Sequence, residues 1–272
     1  MKKVSLLIMT SLLGLAACAP SKKAASNNKI EVENSCTSGI VGGKSVKNED
    51  PLSKKVVLLM MADKENKFST CTGTPIADNV ILTAAHCVKD AVLISAIFKT
   101  SLCEGTQLKK EEVIPAIDWK KHSDYKDLGS SDVAIVKLES SIPADYEVSK
   151  IYDGSSDITS KTVTLIGYGR TSENDESLPK LRKTYKILNE EIGHNEKTGD
   201  LLVIDQKTTG VCFGDSGGPV FVEVDSELQI AGVNSFVLNP DDQNKKCHYA
   251  GAATYMPPYR TWLSEVTGLN FN

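Results

Sequence analysis

Toward its C-terminal end the chain reads Gly214-Asp215-Ser216-Gly217-Gly218-Pro219. A serine hydroxyl is a weak nucleophile until a base takes its proton and fixed donors stabilise the oxyanion that forms. Glycines beside such a serine let the backbone turn tightly and aim its amides at one point. The N–H groups of Gly214 and Ser216 are the candidates for that oxyanion hole. Alone, the segment also reads as an ordinary turn, because Gly, Asp and Ser are common turn residues. Two upstream segments shift the balance. Leu82-Thr83-Ala84-Ala85-His86-Cys87 offers an imidazole. Ser131-Asp132, followed by the apolar Val133-Ala134-Ile135-Val136, offers a carboxylate at the mouth of a buried strand. An imidazole can accept the serine proton, and a carboxylate can fix its tautomer and stabilise its charged form. The chemistry indicated is acyl transfer through Ser216, with His86 as base and Asp132 as orienter. His122, His194 and His248 have no comparable setting and read as structural or exposed.

The elements that must position these groups are short. Val56–Met60, Val80–Thr83, Val92–Ile94, Val133–Leu138, Thr162–Ile166, Leu201–Ile204, Pro219–Val222 and Ile230–Val233 are β-like runs, most of them separated by turn residues. Few stretches carry a helical period, so an all-β architecture is expected. The order His86, Asp132, Ser216, together with Ile40-Val41-Gly42-Gly43 and Gly167-Tyr168-Gly169, resembles the trypsin/chymotrypsin family of serine endopeptidases across most of residues 40–263. The resemblance implies two packed six-stranded antiparallel β-barrels with a C-terminal helix over Tyr259–Val266, set against the second lobe. Barrel 1 would span about 40–150 and barrel 2 about 151–272, with the active site between them.

The same resemblance implies the remaining site residues. Cys71 and Cys87 would bond beside the catalytic histidine, and Cys212 with Cys247 would brace the specificity pocket. Gly210, Val211, Ser235, Val237 and Gly251 would form that pocket. Gly210 stands six residues before Ser216, where trypsin-like enzymes carry an aspartate. An uncharged floor cannot compensate a desolvated cation. Val237 would narrow the slot, so small or medium apolar side chains are expected ahead of Arg or Lys. Ser235 is expected to hydrogen-bond the Asp132 carboxylate. Ile40 and Asp215 would be the activation pair, a freed α-ammonium meeting a buried carboxylate. Gly39, rather than Arg or Lys, precedes Ile40, so a trypsin-like activator should not cut there.

Composition bounds the rest. The chain has 272 residues, 40% hydrophobic and 24% charged, with a net charge of −4, which carries no nucleic-acid footprint. Met1-Lys2-Lys3 and the apolar Val4–Leu15 form an export signal, residues 1–17. Leu15-Ala16-Ala17-Cys18 resembles the bacterial lipobox, which implies lipidation of Cys18 and a membrane anchor; ordinary signal cleavage is the alternative. Ala19, not Asp, follows the cysteine, which in a Gram-negative cell points to the outer membrane or cell surface. Residues 18–39 are polar and read as a tether or propeptide. Of seven cysteines, setting aside Cys18 and the two family bridges leaves Cys36 with Cys103. No metal and no cofactor are expected, and the partner is a protein or peptide substrate met by a monomer. A catalytically weak binding protein on a protease scaffold is the competing function, with an esterase a third reading.

Overall fold

The computed structural model describes residues 38–103, 105–127, 130–188, 193–195 and 199–271. The export signal, Cys18, most of the tether and Cys36 lie outside the described residues. In chain order the elements are β1 (Lys44–Ser45), β2 (Val57–Ala62), β3 (Phe68–Ala77), β4 (Val80–Thr83), α1 (Ala85–Val88), β5 (Leu93–Ile97), β6 (Val113–Lys121) and β7 (Ala134–Leu138). There follow β8 (Lys150–Ile151), β9 (Thr162–Gly167), β10 (Arg182–Ile187), β11 (Gly193–Asn195), β12 (Gly199–Asp205), β13 (Pro219–Val224), β14 (Glu227–Leu238), β15 (Ala250–Tyr255) and α2 (Arg260–Thr267).

The first lobe is a closed antiparallel barrel in the order β2-β3-β4-β7-β6-β5. Its central strands are well buried: all four residues of β4 are buried, and so are four of the five in β7. Pro75 in β3 lacks an N–H and sits where the β3–β4 register shifts, the position at which a strand tolerates proline. Leu59, Ile81, Leu82 and Val136 are fully buried in the barrel core, which continues into Ile166, Phe221 and Ile230 of the second lobe.

The second lobe departs from the expected second six-stranded barrel. It is an open nine-stranded sheet in the order β1-β10-β9-β13-β14-β15-β12-β11, with β8 running parallel to β14 off that path. Closure would need β10 to pair with β11 or β12. Instead β1 pairs with Arg182 and Lys183 of β10, while β11 lies along Leu201 and Asp200 of β12. Both edges are thus taken by short strands, which cap them without joining them. This lobe has its own apolar cluster, including Ile40, Tyr152, Val163, Leu165, Val220 and Ala253.

The C-terminal helix is present as α2 and ends at Gly268, whose positive φ of 73° lets its N–H reach the Ser264 carbonyl. Leu263 joins the apolar cluster that the barrel shares with the second lobe, and the Trp262 ring lies 5.1 Å from that of His122, just past β6, so the helix also meets the first lobe. Tyr259 meets His122 edge-on at 5.2 Å. Burial in this aromatic nest pushes the His122 pKa down.

Candidate active site

Strand β4 delivers Thr83 to the short helix α1, and His86 stands in its first turn with its side chain 20% exposed. Asp132 precedes β7 and is completely buried. One carboxylate oxygen accepts the His86 backbone N–H at 2.9 Å; the other accepts His86 Nδ1–H at 2.7 Å and the Ser235 hydroxyl at 2.6 Å. Thr254 of β15 donates to the Asp132 carbonyl at 3.3 Å. A buried carboxylate with three donors is held in one orientation. Its grip on Nδ1–H leaves Nε2 as the basic nitrogen of the ring. Ser235 and Thr254 belong to the open sheet, so this aspartate fastens both lobes at the site.

The loop carrying Ser216 is shaped by glycines. Gly214 and Gly217 have φ of +96° and +78°. A Cβ on Gly217 would lie 2.0 Å from Thr83 Oγ1 and 2.4 Å from the Thr72 carbonyl, so only glycine lets the loop approach β3 and β4 this closely. The Thr72 N–H donates to the Ser216 carbonyl at 2.8 Å, and the Thr72 hydroxyl to the Gly214 carbonyl at 3.0 Å. With those carbonyls pinned, the Gly214 and Ser216 N–H groups find no acceptor among the described residues. Two undonated amides beside a half-buried serine are suited to an oxyanion. The structure joins His86, Asp132 and Ser235 directly. Ser216 stands on the loop packed against the β4–α1 junction, and among the described residues no hydrogen bond links its hydroxyl to His86 Nε2. Such bonds are commonly long before substrate binds.

Asp215 is fully buried and accepts N–H groups from Gly169 and Cys212, both at 2.8 Å. No ion pair involves it among the described residues, and desolvation pushes its pKa up to about 7 despite those two bonds. Gly169 also links it to the segment before Ile40: its carbonyl accepts the Ser38 hydroxyl at 2.6 Å and the Gly39 N–H. Ser38, Gly39, Ile40 and Val41 are all buried, and Val41 and Gly210 exchange both backbone hydrogen bonds, at 2.9 and 3.1 Å.

Disulfides join Cys71 with Cys87 and Cys212 with Cys247. The first ties β3 to α1 beside His86. The second ties the Ser216 loop to the turn before β15. Cys103 is disulfide-bonded, and its expected partner Cys36 lies outside the described residues. Cys71, His86 and Cys87 also cluster with metal-like spacing, but both thiols are consumed in a disulfide and cannot ligate as thiolates. A cavity of about 520 Å³ opens beside Gly214, with Thr70, Arg170 and Phe213 among its walls. A smaller one of about 190 Å³ adjoins His86.

The trypsin family model matches residues 40–263, which span the barrel, the open sheet and His86, Asp132, Asp215, Ser216 and Ser235. The chain belongs to the trypsin family. Serine protease SP24D of Anopheles gambiae is 27% identical over 236 residues, 82% of this chain and 79% of that protein. Trypsin of Saccharopolyspora erythraea is 29% identical over 231 residues, 79% of this chain and 94% of that protein. The solved structure of HL collagenase is similar in fold, with a TM-score of 0.69 at 23% identity, covering 85% of this chain and 100% of that one. With the His86–Asp132 pair in place, this trypsin-family member is a serine endopeptidase.

Around the expected pocket, Gly251 of β15 pairs with Val237 of β14 and Ile204 of β12, and Val211 is buried. Two contributors were not visible in the sequence. Thr72 pins two carbonyls of the Ser216 loop, but a threonine in a polar stretch carries no motif. Gln206 is fully buried against Gly210 and Gly251, and nothing in Asp205-Gln206-Lys207 marks it out.

Proposed function

We infer that the chain is a lipid-anchored serine endopeptidase that cuts after small or medium apolar residues through an acyl-enzyme. The observation that carries the chemistry is the Asp132 carboxylate, which holds His86 Nδ1–H while Ser235 holds the carboxylate. The Ser216 hydroxyl attacks the scissile carbonyl and His86 Nε2 takes its proton. The carbonyl oxygen becomes an oxyanion facing the Gly214 and Ser216 amides. Collapse of the tetrahedral adduct expels the amine, which receives the proton from His86. Water, deprotonated by the same nitrogen, then releases the acyl group from Ser216.

Activation uses Ile40 and Asp215. Cleavage after Gly39 would turn the Ile40 nitrogen into an ammonium, a counter-ion for a carboxylate that is otherwise buried with two neutral donors. The Gly39–Ile40 bond is buried in the folded chain, so the activator must reach it when this segment is undocked. An export signal over residues 1–17 and lipid on Cys18 would hold the enzyme to the cell envelope by the tether over 18–39.

Gly210 and Gly251 bring no charge to the pocket, and Val237 narrows it. The test is hydrolysis of a peptide panel varied at the residue before the cut, using protein that starts at Ile40. Efficient cleavage after Ala or Val, with little after Arg or Lys, is expected. Preferred cleavage after Arg or Lys would contradict the pocket assignment.

A further inference from the structure

Gly210 and Gly251 lack side chains, yet the space their side chains would enter is filled. A Cβ on Gly210 would lie 2.3 Å from Gln206 Oε1 and 2.4 Å from Gln206 Cδ. A Cβ on Gly251 would lie 2.7 Å from the same oxygen and 2.9 Å from the same carbon. One carboxamide therefore lies between the two glycines. It is also fixed there. Oε1 accepts the Val211 N–H at 2.5 Å, and Nε2 donates to the Val211 carbonyl at 3.2 Å. The Gln206 backbone N–H is tied to the Tyr249 carbonyl at 2.9 Å, and the residue is fully buried. A glutamine freely rotating in solvent would give way to a ligand. One clasped at both ends of its amide to a single residue does not.

We propose that Gln206 is a specificity-determining residue: its carboxamide forms the floor of the primary pocket and sets the largest side chain the enzyme accepts before the cut. This rests on the assignment of Gly210, Val211, Ser235, Val237 and Gly251 as that pocket. The floor is neutral, with its carbonyl oxygen already committed to Val211. It offers no charge to a lysine or arginine side chain, and its bulk stops long or aromatic ones. The accepted class is short side chains such as those of Ala, Ser and Val.

The test compares wild type with Gln206→Ala, both as protein starting at Ile40, on peptides carrying Ala, Val, Leu or Phe before the cut. The ratio of kcat/KM for Phe over Ala should rise by about 10- to 100-fold in the variant, since each methylene a pocket admits is worth about that range. An unchanged ratio in a folded, active Gln206→Ala variant would overturn the assignment of Gln206 alone. Absence of any Ser216-dependent cleavage by the wild type would overturn the peptidase assignment and this one with it. A second measurement covers loss of fold in Gln206→Ala. Gly210→Ala should lower the melting temperature because its methyl group meets the amide, and Gln206→Asn, with its amide withdrawn by one methylene, should restore part of that loss in the double variant. No restoration would show that the amide does not occupy this space and would also overturn the proposal.

Discussion

The closed barrel and the open sheet contribute to the same site in different ways. The barrel supplies His86 from α1 and Asp132 from the mouth of β7, and the Asp132 carboxylate has three donors. The open sheet carries the Ser216 loop, the expected pocket residues and Asp215, whose carboxylate has two donors rather than three. Asp215 is buried with neutral donors only, Gly214 and Gly217 adopt positive φ, and two amides donate to nothing among the described residues. At the site itself, His86 and Asp132 are already joined, whereas the Gly214 and Ser216 amides and the Asp215 carboxylate are the groups where the proposed oxyanion and terminal ammonium would be gained. Unmet hydrogen bonds at a site of this kind are expected where chemistry or switching occurs.

The contrast can be broken first on the barrel side. Asp132→Asn keeps the shape but no longer enforces the tautomer with a basic Nε2, and kcat should fall by about 10⁴-fold while KM changes little, as measured by steady-state kinetics. On the sheet side, the uncleaved chain should show an unusual pH dependence. Asp215 in the folded state keeps its proton up to about pH 7, whereas the unfolded chain loses it near 3.8. The folded state therefore binds more protons across that window, and Asp215's contribution to stability falls as pH rises from about 4 to 7, by up to about 4 kcal/mol. Urea titrations across that range, compared with Asp215→Asn, read this slope. Protein cut before Ile40 should lose it, because an ammonium beside the carboxylate lowers its pKa.

Smaller effects sharpen the comparison. Gly217→Ala forces a side chain into Thr83 and the Thr72 carbonyl at a positive φ, and should cost about 3 kcal/mol in denaturant unfolding along with most activity. Ser235→Ala removes one charge-assisted hydrogen bond from Asp132, worth about 1.5–3 kcal/mol. Its kcat should drop by roughly tenfold or somewhat more, with threonine restoring part of the loss.

Much of this was legible in the sequence, for identifiable reasons. Val80–Thr83 and Thr162–Ile166 are dense in β-branched and apolar residues, and both are strands. Phe68–Ala77 carries Ser, Thr, Gly and Pro, and Arg182–Ile187 carries three charged residues in six and is largely half-exposed, so neither announced itself. The failure of the second lobe to close depends on which short strand reaches each edge, and Lys44–Ser45 gives no local sign of that pairing. Gln206 was hidden for a similar reason: its role comes from a loop that folds back over two glycines far apart in sequence.

The central claim is that His86 makes the Ser216 hydroxyl a strong nucleophile while Asp132 holds His86 in position. Mass spectrometry of the protein after exposure to a serine-reactive phosphonate tests it most directly. A single adduct on Ser216 should form rapidly in protein starting at Ile40, slow by orders of magnitude in His86→Ala, and vanish in Ser216→Ala. An adduct at another residue, or equal labelling with and without the imidazole, would contradict the account.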